Sequence, residues 1–295
     1  MLNTNRFTGL ATLVAGVLVA CAFAAGATPA LAQGGNTAHA APQAAGPPPD
    51  DPDLDPNPAQ PDFTVVTLPT TLRLPRFKSA FRVTHRFTRP LGEGDFGSLA
   101  EDFFSLDSSA MIGLEYRFGV MRGWQAGVYR TSDRTIELFS RYSVFTQGQG
   151  LPVSVDASFS IDGTNNFRDS YTPAVGAIVS HEFGQWGAVY VEPMWVNNSN
   201  PEPSELVEHN DTWLLGLGAR VRVRPTLYVV AELVPRTGYE PAVNHATFGI
   251  EKRAGGHVFQ LNFSNGVGTT MGQIARGGTA YDNWHLGFAI SRKFF

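Results

Sequence analysis

The sequence predicts an all-β protein: a closed, antiparallel, up-and-down transmembrane β-barrel of about 12 strands. Three observations predict it. From about Phe77 onwards, apolar and polar residues alternate with period two, the pattern of strands with two different faces. Most of these segments are about ten residues long, the length that a tilted strand needs to cross a bilayer. The connections between them alternate between short and long, as the two rims of an outer-membrane barrel require.

The alternation is clearest in residues 153–161, where Val, Val, Ala, Phe and Ile share one face and Ser, Asp, Ser and Ser share the other. A soluble sandwich strand is usually five or six residues long, so the longer segments favour a membrane. An exported soluble β-sandwich is the alternative fold. The predicted strands are 77–88, 109–120, 124–131, 135–146, 152–161, 173–183, 186–196, 212–223, 227–235, 246–253, 257–264 and 283–294.

The predicted connections differ in length from one rim to the other. Residues 121–123, 147–151, 184–185, 224–225 and 254–256 form short turns, and most of the other connections are long. Only residues 132–134 break this pattern. An even number of strands places both ends of the barrel at the short-turn rim, which we expect to face the periplasm.

The N-terminal region predicts export. Residues 1–32 have the charged start, apolar run and Ala-Leu-Ala cleavage site of a signal peptide. Cys21 also lies in a segment that resembles a lipoprotein box, so its lipidation is an alternative to cleavage after Ala32.

Residues 33–67 are rich in Ala, Pro, Gly and Asp, which predicts a disordered linker, and residues 68–295 form the predicted barrel. Asp51, Asp53, Asp55 and Asn57 alternate like the start of a calcium loop. Pro56 occupies the position that requires glycine, and Asp62 stands where the loop needs glutamate, so a solvated acidic linker is favoured.

Composition excludes several functions. The net charge of −4 argues against a nucleic-acid partner, which requires a basic face. Cys21 is the one cysteine, so the mature chain has no disulfide and no covalent haem site. We expect no cofactor and no metal.

The chain ends on Phe294 and Phe295, with no polar tail behind them. Because a barrel must pair its last strand with its first, the last residues have no room to fray. This end resembles the signal that the barrel-assembly machinery reads, which makes that machinery an expected partner. Outer-membrane lipid is the other, and its interface is expected to hold a girdle of aromatic residues, with the tryptophans Trp124, Trp186, Trp195, Trp213 and Trp284.

Charged residues alternate into the predicted lumen. They are Arg82, Arg86, Glu115, Arg117, Glu137, Arg141, Asp156, Glu182, Arg220, Arg222 and Glu232. Two interpretations stay open: a charged constriction that selects solutes, or opposite charges that pair across strands. A barrel of this size is compatible with a narrow channel and with a plugged lumen. If the lumen conducts, the arginines of the first and eighth strands favour anionic solutes.

No catalytic signature occurs. Ser180 and His181 are adjacent in a strand and therefore point to opposite faces. His285 is predicted to face the lumen, and the fifth predicted strand is rich in serines. Because no catalytic motif accompanies these residues, a barrel hydrolase is the least favoured hypothesis. A solute channel is the first hypothesis, and a non-conducting barrel that anchors a periplasmic partner is the second.

Three stretches resemble a family of bacterial outer-membrane β-barrels known as a domain of unknown function. They are LPTTLRLPRFKSAFRVTHRFTRPLGEGDF (68–96), DFFSLDSSAMIGLEYRFG (102–119) and YTPAVGAIVSHEFGQWGAVYVEPMW (171–195). The resemblance covers most of the mature chain. It implies an outer-membrane barrel and carries no activity, substrate or site residues.

Overall fold

The computed structural model of the protein describes residues 52–202, 206–207 and 209–295. The predicted signal peptide, Cys21 and residues 33–51 of the predicted linker lie outside the described residues.

Thirteen strands occur among the described residues. They are β1 (Ser79–Phe87), β2 (Ala110–Met121), β3 (Trp124–Thr131), β4 (Ile136–Phe145), β5 (Ser154–Gly163), β6 (Tyr171–Glu182), β7 (Gly187–Val196), β8 (Thr212–Arg224), β9 (Leu227–Val234), β10 (Arg236–Thr237), β11 (His245–Ala254), β12 (His257–Ser264) and β13 (His285–Phe294). Two short α-helices lie in the long loops, α1 (Phe96–Glu101) and α2 (Met271–Ala275). A 3-10 turn occupies Pro52–Leu54.

The twelve long strands form a closed antiparallel barrel. Each pairs with its neighbours along the chain, and β1 closes the barrel by pairing with β13, so that Ser79 lies opposite Phe294. The two-residue strand β10 only extends the sheet beside β8. The predicted fold is confirmed, and the ends of the twelve predicted strands differ from the observed ones by two residues or fewer.

The barrel turns its apolar residues outwards. On β2, Leu114 and Tyr116 are exposed, whereas Glu115 and Arg117 are buried. On β5, Ser154, Asp156, Ser158 and Ser160 are buried. In a sandwich the apolar faces would bury each other, so the alternative fold is wrong.

The tryptophans lie near the two rims. Trp124 begins β3, and Trp186 lies in the β6–β7 turn, so both are at the short-turn rim. Trp195 pairs with Trp213 at the long-loop rim, and Trp284 precedes β13 at that rim. Two belts of this kind are typical of barrels in bilayers.

Residues 57–74 enter the lumen and return to the same rim; we call them the plug hairpin. The Val65 N–H donates to the Leu68 carbonyl at 2.8 Å, and the Thr70 N–H donates to the Phe63 carbonyl at 2.9 Å. Residues 59–71 are all buried. The sequence predicts a disordered linker as far as residue 67, and the structure differs over residues 57–67, because wall side chains bind the backbone that a free linker would leave to water.

A second segment enters from the other rim. The long β12–β13 loop folds inwards, and all five residues of α2 are buried. None of the described helices is long and apolar enough to cross a membrane.

The outward apolar band makes a prediction about stability. Ile250 lies in the middle of β11, between the exposed side chains of Val229 and Leu261. Ile250→Arg is expected to destabilise the barrel by about 2–4 kcal/mol, the cost of an arginine near the bilayer midplane. Urea unfolding in lipid vesicles measures this difference.

Leu106→Arg is the matched control. Leu106 is exposed in the long β1–β2 loop, where a surface substitution is expected to change stability by about 0.5 kcal/mol or less. Equal losses in both variants would contradict the assignment of Ile250 to a lipid-facing band.

Candidate functional site in the barrel lumen

The tip of the plug hairpin is held by one carboxylate. Glu232 on β9 accepts the backbone N–H groups of Val66 at 2.5 Å, Thr67 at 2.9 Å and Leu68 at 2.9 Å. It also accepts the hydroxyls of Thr67 at 2.7 Å and Thr247 at 2.9 Å. Successive N–H groups at a turn form a concave anion site, so the tip is built to receive this negative charge.

Wall side chains also satisfy the carbonyls of the hairpin. Arg220 donates to the Thr64 carbonyl at 2.7 Å, and Gln260 donates to the Val65 carbonyl at 2.6 Å. Arg82 binds the Val66 carbonyl. Because an unpaired buried peptide group is costly, these donors replace the neighbouring strand that the hairpin lacks.

Near the short-turn rim the contacts are between side chains. Glu182, the last residue of β6, accepts hydrogen bonds from Asn57 at 3.0 Å and from Gln60. The hydroxyls of Thr71 and Ser180 lie 2.5 Å apart. Asp53 forms an ion pair with Arg73.

Apolar contacts join the hairpin to the wall and to α2. Val65 and Val66 pack against Ala188, Tyr190 and Val230. Leu68 packs in a cluster that includes Met271 and Ile274 of α2. Gly216 on β8 makes room for the tip, because a Cβ there would lie 3.0 Å from Leu68 Cδ1. The two inserted segments therefore meet inside the barrel.

The α2 segment has its own polar anchors. Thr270 caps the helix and binds Asp162 of β5 through its hydroxyl. Gly272 donates its N–H to the same carboxylate at 3.1 Å, and Gln273 donates to Asp133 at 2.8 Å. A Cβ at Gly272 would lie 2.6 Å from Asp162 Oδ2, so this approach needs glycine.

Five buried charged side chains of the wall form ion pairs. Arg117 and Glu115 form an ion pair at 2.6 Å, with Arg82 at 4.0 Å from the same glutamate. Arg220 pairs with Glu251 at 2.9 Å. The Arg117–Glu115 pair lies within β2, whereas Arg82–Glu115 and Arg220–Glu251 join different strands, as the second interpretation of the sequence predicts.

Most of the predicted lumenal residues lie inside the barrel. Buried side chains are those of Arg82, Arg86, Glu115, Arg117, Glu137, Arg141, Asp156, Arg220 and Glu232. Glu182 is half-buried at the rim. Arg222 is also half-buried at the short-turn rim, where it donates to the Pro225 carbonyl and to Gln185.

Sequence reasoning missed several lumenal residues. Glu192, Glu251 and Asp162 are buried on inward faces, where strand parity alone would have placed them. The plug hairpin was missed as a lumenal element. Its signal is the short apolar run FTVVTL (63–68) between two proline-containing stretches.

The histidines do not form a nucleophile–base pair with the serines nearby. His285 Nδ1 lies 3.1 Å from the Phe87 carbonyl, and His181 Nδ1 lies 2.7 Å from the Pro152 carbonyl. Ser180 is buried and binds Thr71 instead. These contacts give no support to a barrel hydrolase.

The acidic residues near the start of the described chain do not form a calcium loop. Asn57 Oδ1 accepts the N–H groups of Ala59 at 2.9 Å and Gln60 at 3.1 Å, and Asp53 binds Arg73. Among the residues that the structure describes, no cluster of three or more His, Cys, Asp or Glu side chains has the geometry of a metal site.

The fold and the polar, occupied lumen define a membrane β-barrel of the outer-membrane type. The family model of the membrane bound beta barrel domain (DUF5777) matches residues 62–294. The chain therefore belongs to this family, as the resemblance in its sequence predicts. The match begins inside the plug hairpin, so residues 62–74 are part of the domain.

Solved structures of similar fold are outer-membrane proteins. The NanC porin has a TM-score of 0.50 at 7% identity, covering 74% of this chain and 99% of that one. The KdgM porin, solved in complex with disordered oligogalacturonate, has a TM-score of 0.47 at 8% identity, covering 73% and 99%. Outer membrane phospholipase A from Escherichia coli has a TM-score of 0.42 at 10% identity, covering 74% and 90%. At 7% identity the likeness to the NanC porin is one of fold. No curated protein matches the sequence.

Glu232 is expected to control the local stability of the hairpin tip. Glu232→Gln removes the charge that the N–H groups of Val66, Thr67 and Leu68 share. Hydrogen exchange at these amides is expected to accelerate roughly 10- to 100-fold, for a loss of about 1.5–3 kcal/mol. Exchange measured by NMR on the protein in micelles checks this.

Glu192→Gln is the matched control. Glu192 is also a buried lumenal glutamate, on β7, and neither of its carboxylate oxygens has a hydrogen-bond partner. Its substitution should leave exchange at residues 66–68 unchanged. If Glu232→Gln left these amides as protected as before, the tip would be held by something other than this carboxylate.

Proposed function

We propose that the protein is an outer-membrane channel for small solutes, closed at rest by the plug hairpin and opened when the hairpin withdraws. The observation that carries the proposal is the attachment of the hairpin. Both of its limbs lie at the short-turn rim, since Asn57 and Gln60 bind Glu182, and Arg73 donates to Thr146 at 3.3 Å just beyond β4. Withdrawal through that rim breaks no hydrogen bond between barrel strands.

The attachment is also largely polar. Hydrogen bonds to the hairpin backbone come from Glu232, Arg220, Gln260 and Arg82, and water replaces such bonds at small net cost when a segment leaves. The apolar contribution comes from three separate small clusters, formed by Val65 and Val66, by Leu68, and by Phe63 and Leu74. A seal of this composition suits reversible opening better than a continuous hydrophobic core would.

The proposed orientation places the short-turn rim in the periplasm. A periplasmic partner would then have access to the plug hairpin from that rim. Phe294 and Phe295 end the chain at the same rim, where we propose that the barrel-assembly machinery recognises them.

The charges of the barrel wall bear on the charge of the solute that a channel would pass. In the strands that the structure describes, six arginines are buried (Arg82, Arg86, Arg117, Arg141, Arg220 and Arg236) against seven carboxylates (Glu115, Glu137, Asp156, Asp162, Glu192, Glu232 and Glu251), and the plug hairpin adds the buried carboxylate of Asp62. This near balance gives no support to the anion preference that the arginines alone favour. We propose small polar solutes without strong selection by charge.

A reversible disulfide tests the proposal. The hydroxyl oxygens of Thr71 and Ser180 are 2.5 Å apart, close to the 2.05 Å or so of a disulfide. In the mature Thr71→Cys/Ser180→Cys variant, oxidation is expected to hold the hairpin in the lumen and abolish conductance across a planar bilayer. Reduction should restore it. Adding Glu232→Gln should raise the open probability of the reduced form.

Thr164→Cys/Ser170→Cys is the matched control. These hydroxyls are 2.8 Å apart within the β5–β6 loop, so the disulfide forms outside the lumen and conductance should not depend on redox state. Equal conductance of the oxidised and reduced Thr71/Ser180 variants would contradict gating by the hairpin.

A non-conducting barrel that anchors a periplasmic partner is the second candidate. The contact of Leu68 with Met271 and Ile274 favours it, because it joins the hairpin to a segment inserted from the opposite rim. Absence of conductance in every redox state and in the Glu232→Gln variant would favour this function over a channel.

A further inference from the structure

A cavity of about 160 Å³ lies between the plug hairpin and the wall, near the short-turn rim. The plug hairpin and the barrel wall both line it: the hairpin contributes Asn57, Gln60 and Thr71, and the wall contributes Ser154, Asp156 and Glu182. One water occupies about 30 Å³ of liquid, so the cavity is large enough for a molecule of several heavy atoms.

The charged lining of the cavity is predominantly negative. Asp53, Asp55, Asp156 and Glu182 contribute four carboxylates, and Arg73 contributes one cation. Arg73 is already ion-paired with Asp53. Three carboxylates therefore face the cavity without a paired cation from its own lining.

Asp156 is the exceptional member of this lining. Its side chain is 1% exposed, and neither carboxylate oxygen has a well-aligned hydrogen bond, the nearby Ser143 hydroxyl being the one side-chain donor that acts on it. The arginines that act on it electrostatically are Arg141 and Arg73, and both donate elsewhere: Arg141 to the Phe63 carbonyl at 3.3 Å, and Arg73 to Asp53. A buried carboxylate with so few hydrogen-bond donors is costly, and a bound cation with N–H groups would satisfy it.

We propose that this cavity binds a small organic cation, an amine that places its ammonium group against Asp156. The rest of the lining suits such a ligand. Hydroxyl and amide groups of Asn57, Thr71, Ser143, Thr146 and Ser154 surround the carboxylates, and their oxygens accept hydrogen bonds from ammonium N–H groups. Asp55 is exposed, so the acidic lining runs from solvent to the buried site and gives the cation an entry route.

The size of the cavity selects an amine over a bare metal ion. A metal ion requires oxygen ligands at about 2.0–2.6 Å on several sides, and a space of about 160 Å³ is larger than such a shell. A short diamine fills more of it, with one ammonium group at Asp156 and the second nearer Glu182.

Ligand binding is expected to favour the closed lumen, because the hairpin and the wall each supply half of the site. A ligand that binds only one of two states stabilises that state, and the stabilisation increases with the ligand concentration. This consequence rests on the proposed function, whereas binding itself does not.

Isothermal titration calorimetry on the full-length protein in detergent micelles tests the site, with 1,4-diaminobutane as the probe. The expected result is saturable binding to a single site. The uncharged analogue 1,4-butanediol, of nearly the same size, should give no saturable heat. Asp156→Asn should weaken diamine binding at least about tenfold, the effect of losing one charge-assisted contact.

Two further variants keep the result interpretable. Glu182→Gln removes a second carboxylate of the cavity and should also weaken binding, which guards against a folding defect peculiar to Asp156→Asn. Asp107→Asn removes the same charge from the long β1–β2 loop, at the other rim, and should bind as the unmodified protein does. Circular dichroism and heat-modifiable gel migration confirm that each variant is folded.

Four outcomes would overturn the proposal: no saturable binding of the diamine, equal affinity for the diol, unchanged affinity in folded Asp156→Asn, or displacement of the diamine by equimolar Ca²⁺. The last would assign the site to a metal ion. Diamine binding by a protein that never conducts would leave this site intact and remove the channel function.

Discussion

Hydrocarbon offers no hydrogen-bond partner to a peptide group, and the architecture of this protein follows from that constraint. The first strand must pair with the last, which is why Ser79 lies opposite Phe294. Once the sheet is closed, one face of the alternating strands must point outwards and the other inwards. The apolar face contacts lipid, and the polar face lines a narrow interior.

The same need for hydrogen-bond partners applies to peptide groups inside the barrel. A chain inserted into the lumen carries peptide groups without a neighbouring strand, and they need partners as much as those of the wall do. Glu232 accepts three N–H groups of the hairpin tip, while Arg220, Gln260 and Arg82 donate to its carbonyls. The charged residues of the wall therefore serve the plug as much as one another.

The barrel was predictable from the sequence to within two residues at each strand end, because every strand obeys one local rule. Residues such as Glu115 and Asp156 follow from parity in the same way. The plug hairpin does not. Its composition, rich in proline and threonine and preceded by acidic residues, resembles that of a linker, and its order depends on contacts with strands more than a hundred residues away, as between Val66 and Glu232. The pairing of Arg220 with Glu251 is likewise non-local; it depends on which strands are opposite in the closed cylinder.

The two inserted segments differ in how the chain restrains them. The α2 segment is tied at both ends to β12 and β13 at the long-loop rim, and it is anchored through Asp162 and Asp133. The plug hairpin is joined directly to a barrel strand at its C-terminal end, through β1, and no strand precedes it among the described residues. In the proposed withdrawal, the contacts of Asn57 and Gln60 with Glu182 lie at the short-turn rim and break first. The contacts of the tip break only afterwards. This order places the rim contacts, and the acidic cavity beside them, where they control access to the more firmly held tip.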